Sequence, residues 1–117
     1  MAENKLADLS MDFAVSILKV TDGIKGHYSL INQLERSATS IGANIREAKY
    51  AHSKADFISK LQIALKECYE TEYWLELLHE AGYLKQKEFE SIITPCQTIV
   101  RMLSAITKTA KINKSHI

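Results

Sequence analysis

Apolar residues recur at steps of three and four along nearly the whole chain, the period of one face of an α-helix. Four stretches carry the pattern. The first, about residues 4–24, places Leu6, Leu9, Phe13, Ile17, Val20 and Ile24 on one side. The second, about 29–51, sets Ile31, Leu34, Ala38, Ile41, Ile45 and Ala48 in alternating steps that form a heptad seam. The third, about 54–81, runs through Phe57, Leu61, Ala64, Cys68, Thr71, Leu75 and Leu78. The fourth, about 86–111, repeats the pattern with Phe89, Ile92, Cys96, Ile99, Leu103 and Ile106.

The interruptions are short and chemically specific. Gly23 and Gly26 end the first stretch, and Gly82 can take the left-handed conformation that closes the third. Ser53 and Asp56 form a capping box: the hydroxyl accepts from a first-turn amide while the carboxylate reaches back to the cap amide. Pro95 removes one amide donor inside the fourth stretch, which predicts a kink there rather than a break. Short connections return a helix antiparallel to the one before it. The expected architecture is therefore all-α, an antiparallel up-down-up-down four-helix bundle occupying residues 1–117 as one domain.

The third stretch has more apolar surface than a bundle needs. Ile58, Ile63, Leu65, Tyr69, Tyr73, Trp74 and Leu77 lie outside its seam. The second stretch carries Thr39, Ser40, Gly42 and Ala43 where long charged chains usually face water. Small residues allow a second backbone to approach, so both features predict self-association.

Composition narrows the class. Only four glycines and one proline in 117 residues disfavour an all-β fold, which needs frequent turns. Cys68 and Cys96 fall on helical seams rather than in a closely spaced framework, which suits a reducing, cytoplasmic setting and core packing. The first residues lack a signal-peptide pattern, and nowhere do 18 apolar residues follow one another, so no membrane segment is expected.

Fifteen Lys and Arg against fourteen Asp and Glu give a net charge of +1, too small for a uniformly basic nucleic-acid coat. The charges are nevertheless sorted. Residues 46–66 sum to +3, residues 67–90 to −5, and the segment from Arg101 onward to +4. In an antiparallel bundle the two positive segments meet at one end. Arg46, Lys49, Lys54, Lys60, Lys108, Lys111 and Lys114 are accordingly the candidate nucleic-acid contacts, although lysines near helix C-termini also complement the helix dipole.

Other constellations carry little chemistry. Glu76 and His79 have the Glu-x-x-His spacing of di-iron bundles, but a second copy of the motif is missing, so no metal and no cofactor are expected. There is no phosphate-binding glycine loop and no cluster of Cys and His. Arg36 is placed to pair with Glu35 or Glu47, and Asn44 flanks the seam where its amide could bridge helices.

The segment from Arg36 to Ala48, RSATSIGANIREA, resembles the bacterial four-helix-bundle family named for proteins encoded in intervening sequences of 23S ribosomal RNA genes. The similarity continues through Ser53-Lys54, Asp56-Phe57-Ile58, Ile63 to Glu67, Glu70 to Leu75, Ala81 to Leu84 and Thr107 to Lys111, covering about residues 6–112. It implies a homopentameric ring of antiparallel bundles. It also implies a link to RNA, because the related accessory subunit of diversity-generating retroelements is a basic pentamer that works with a reverse transcriptase. It carries no catalytic residue, so no enzyme activity is expected. Members of the retroelement type are markedly basic, whereas this chain is near neutral. Within the most recognisable motif, Arg36, Ser40, Gly42, Ala43, Asn44 and Glu47 are expected to set bundle or subunit packing, together with Tyr73 and Trp74. The expected role is a non-catalytic, RNA-associated accessory factor whose partners are further copies of itself and either RNA or a nucleic-acid enzyme. The alternative is a protein–protein scaffold that docks through the surface around Tyr69, Tyr73, Glu76 and Glu80.

Overall fold

A computed structural model describes the backbone of residues 2–115 and the side chains of residues 4–112. It contains four helices: α1 (Ala2–Asp22), α2 (Tyr28–Lys49), α3 (Lys54–Glu80) and α4 (Gln86–Ser115). In α2 every seam residue is buried, from Ile31 through Leu34, Ala38, Ile41 and Ile45 to Ala48, because steps of three and four keep them on one side of the helix. Each helix packs against two others, α1 on α2 and α4, and α3 on α2 and α4, so the four form a closed square in chain order. The connections, residues 23–27, 50–53 and 81–85, are too short to cross the bundle, and the molecule extends 51 × 22 × 20 Å. These features define an up-down-up-down bundle in which α1 and α3 run one way and α2 and α4 the other.

Helix ends follow from local chemistry. Gly26 and the non-glycine His27 both take left-handed conformations, φ 83° and 53°, and turn the chain into α2. At the start of α3 the Ser53 hydroxyl accepts the Asp56 N–H at 3.0 Å, as the capping box requires. The Asp56 carboxylate accepts the His52 N–H at 3.2 Å, one residue earlier than the cap amide expected of it. The C-terminus of α3 closes around Gly82, φ 88°. There the Tyr83 N–H donates to Leu78 O at 2.8 Å and the Gly82 N–H to His79 O at 3.1 Å, a Schellman closure. Helix α4 continues through Pro95.

The core joins all four helices, with Leu6, Phe13, Ile17, Leu34, Ile41, Leu75, Leu78, Ile99 and Leu103 almost wholly out of water. One buried polar contact crosses α2 and α3: Thr71 Oγ1 lies 2.9 Å from Ser37 Oγ. Each hydroxyl also lies within bonding distance of a carbonyl of its own helix, so neither is stranded. Gly42 marks a close approach of α1 and α2, since a Cβ on it would lie 3.3 Å from Ser10 Oγ.

Candidate nucleic-acid interface

The up-down-up-down order brings the C-terminus of α2, the N-termini of α1 and α3 and the C-terminal part of α4 to one end. Ile106 of α4 shares one groove with Phe57 and Leu61 of α3 and with Leu6 of α1, which fixes this arrangement locally. Most of the candidate cations lie toward this end. Arg46, Lys49, Lys54, Lys108 and Lys111 are exposed. Lys60 is half-buried and its Nζ pairs with Glu47 Oε1 at 3.2 Å. The side chain of Lys114 lies outside the described residues.

Two carboxylates near this end are already engaged. Glu47 holds Lys60, and Asp56 accepts a backbone amide at the start of α3. Among the described residues Arg46, Lys49 and Lys54 have no carboxylate partner, so the end carries an uncompensated positive charge. Lys49 Nζ sits 5.9 Å from the centroid of the Tyr50 ring, which is itself exposed. Charge counting passes over Tyr50, and its one signal in the chain is an aromatic beside a lysine where a helix stops.

The residues expected to set packing fall in three settings. Arg36 reaches across to α3, not to Glu35 or Glu47: it meets Glu70 Oε1 at 2.5 Å and Glu67 Oε2 at 3.4 Å. Sequence neighbours lie on its own helix, whereas the adjacent helix presents two carboxylates one turn apart. Burial works against the charge on Glu70, but hydrogen bonds from Arg36 and Trp74 hold its carboxyl below the usual carboxylate range. Asn44 donates to Ser40 O of its own helix at 2.8 Å instead of bridging helices. Ser40 Oγ donates to Arg36 O at 2.7 Å, while Gly42 faces Ser10 and Ala43 is exposed.

The surplus apolar residues of α3 divide into two sets. Ile58 is buried, and Leu65 and Trp74 pack partly against the core. Ile63, Tyr69, Tyr73 and Leu77 remain exposed. Tyr73 meets Trp74 edge-on, with centroids 5.1 Å apart. Along this stripe Glu72 is pushed above the usual carboxylate range by burial and by the neighbouring charge of Glu76. A second exposed apolar set was not foreseen: Met11, Val15 and Leu18 of α1 border a groove of about 1150 Å³ between α1 and α2.

Glu76 and His79 are not assembled with further ligands. The His79 ring stacks on Phe89 at 4.3 Å and 10°, and among the described residues no group of three or more His, Cys, Asp or Glu is placed to hold a metal ion. Cys68 and Cys96 are buried and free, with Cys96 Sγ 3.7 Å from Cys68 O. No helix among the described residues is long and apolar enough to cross a membrane.

A family model for the 23S rRNA-intervening sequence protein matches residues 2–105. A crystal structure of a protein with unknown function from the S23 ribosomal protein family of Bacteroides thetaiotaomicron is similar throughout. Its TM-score is 0.87 at 46% identity, covering 92% of this chain and 99% of that one. No curated protein matches the chain. With its bundle intact and the family pattern extending over most of its length, the chain belongs to the family of 23S rRNA-intervening sequence proteins.

Proposed function

We propose that this protein is a non-catalytic, cytoplasmic accessory factor that binds RNA through the basic end of its bundle and works as a homo-oligomeric ring, a homopentamer. The observation that carries the reading is the sorting of charge: in a chain of net charge +1, Arg46, Lys49 and Lys54 have no carboxylate partner among the described residues at one end, near Lys108 and Lys111. Phosphate groups favour such a surface, because each one neutralised releases a counterion. The family description, which refers to an insertion in ribosomal RNA, supports RNA as the polyanion. An enzyme acting on the same RNA is the protein partner this role calls for.

Two exposed apolar surfaces support the ring. One is Met11, Val15 and Leu18 on α1, the other Ile63, Tyr69, Tyr73 and Leu77 on α3. These helices are diagonal in the square. A surface on one copy meeting a different surface on the next makes a head-to-tail contact, which closes into a ring when the rotation permits. The same stripe on α3 favours a second reading, a protein–protein scaffold without RNA, with Tyr69, Tyr73, Glu76 and Glu80 as its docking surface.

RNA binding at low salt separates the two. The RNA reading expects a fragment of 23S ribosomal RNA to bind with an affinity that falls log-linearly with salt and drops when Lys54, Lys108 and Lys111 become Gln. Absence of binding, or indifference to those replacements, rejects it and leaves the scaffold. Light scattering should return five times the 13.2 kDa chain mass, and a monomer at micromolar concentration rejects the ring.

A further inference from the structure

The connection between α2 and α3 carries an aromatic ring that the bundle does not use. Tyr50 is 71% exposed, yet its backbone is fixed: its N–H donates to Glu47 O at 3.1 Å, and the next amide, Ala51 N–H, donates to Ala48 O at 3.1 Å. An ordered backbone holding a ring in water offers a flat π-face at little further cost in chain entropy. The ring stands among the uncompensated cations. Lys49 lies beside it at 5.9 Å from the centroid, Arg46 is one helical turn back, and Lys54 begins the next helix. Tyr50, Arg46 and Lys49 also form part of the wall of the groove between α1 and α2.

Compensation of the helix dipole accounts for only part of this arrangement. Arg46 and Lys49 are in the last turn of α2, where cations are favoured. Lys54 is the first residue of α3, where the dipole disfavours a cation, and no dipole argument places an aromatic ring in water between the two helices. A ligand that is both anionic and aromatic meets all of these features at once.

We infer that Tyr50 is a stacking platform for an unpaired nucleobase, with Arg46, Lys49 and Lys54 holding the flanking phosphates, so that the basic end selects single-stranded over double-stranded RNA. This rests on the RNA reading above and adds to it the strandedness of the partner. Bases within a duplex are stacked on one another and show a protein mainly their backbone, whereas an unpaired base can leave its neighbours and stack on an aromatic side chain. Such stacking tolerates any base, so the selectivity is for strandedness rather than for sequence.

Fluorescence anisotropy with a labelled 15-nucleotide single-stranded RNA, an RNA duplex of the same length and a single-stranded DNA, at low salt, tests the inference on the full chain. The wild-type protein should bind the single strand at least about tenfold more tightly than the duplex. Tyr50→Ala should lose about tenfold or more on single strands and leave the duplex unchanged, while Tyr50→Phe, which keeps the π-face, should stay within about twofold of wild type. Tyr28 provides a control, being 73% exposed at the opposite end of the bundle, and Tyr28→Ala should bind as wild type does. Unchanged duplex affinity in Tyr50→Ala also shows that the variant is folded. Equal affinity of the wild type for single strand and duplex, full retention by Tyr50→Ala, or an equal loss in Tyr28→Ala overturns the platform while the RNA reading stands. Failure of the wild type to bind any of the three nucleic acids overturns both.

Discussion

The two ends of the bundle are built on the same four helices but finished differently. At the end holding residues 23–27 and 81–85, side chains tie neighbouring segments together. His27 Nε2 hydrogen-bonds the Tyr83 hydroxyl between the two connections, Thr21 donates to Glu35 at 2.5 Å between α1 and α2, and His79 stacks on Phe89 between α3 and α4. At the other end one ion pair among the described residues, Lys60 to Glu47, crosses between helices, and Arg46, Lys49, Lys54, Lys108 and Lys111 are exposed. The side chains in the three contacts of the first end satisfy one another and add to stability. At the second end Arg46, Lys49 and Lys54 carry charge that no carboxylate among the described residues takes up, which leaves it available to bind.

The contrast can be broken most strongly at the basic end. Replacing Lys54, Lys108 and Lys111 together with Glu should weaken RNA binding at low salt by about 100-fold or more, measured by anisotropy, since three phosphate attractions become repulsions. Because all three side chains are exposed, the melting temperature should barely move, and a large drop in it would contradict a division of labour between the ends. At the tied end the order reverses. Tyr83→Phe should cost about 1 kcal/mol in urea unfolding and leave RNA affinity alone. His27→Gly should be more stable than His27→Ala by about 1 kcal/mol, because both lose the ring contact but only Gly takes φ 53° without strain.

The smallest effects concern the acidic stripe of α3 and have opposite signs. Glu72 is raised in the folded state, so its charged form is disfavoured there and it detracts from stability above its unfolded value. Glu72→Gln should therefore raise the melting temperature slightly at pH 7, with the gain vanishing as acid protonates the native carboxyl. Glu70 is lowered by Arg36 and Trp74, so its contribution is present above the unfolded value and is lost as pH falls through the folded one. Arg36→Gln should flatten that acid-side loss in a melting series from pH 6 to pH 3. An unchanged acid limb would show that the pair contributes nothing in solution.

Much of the architecture was legible because period alone decides which side of a helix is buried. All six seam residues of α2 are buried, and the apolar steps of α3 from Leu61 to Leu78 are buried with them. Edge positions are less faithful: Leu9, Val20, Ile24, Phe89 and Ile106 are only half-buried, and Ile93 is buried although it lies off the seam. Contacts between helices were harder to foresee. Arg36 finds carboxylates 31 and 34 residues away, and Gly42 answers Ser10 on another helix, pairings that depend on relative height and rotation rather than on spacing along the chain. At the basic end the lysines and arginines could be found by counting charge. The role of Tyr50 could not, because exposure of one aromatic in a connection is a property of the folded surface.

Cys68 and Cys96 give the bundle an internal gauge. Both cysteines are buried where α3 faces α4, and the hydrogen bond to Cys96, followed by burial, pushes the Cys68 thiol above the ordinary thiol range. An alkylating reagent can therefore react only during excursions that part these two helices, and its rate counts those excursions. The chain reports its own breathing at the centre of the core without an introduced label, and a bound strand or neighbouring copy that stabilises the bundle would be read there as slower labelling.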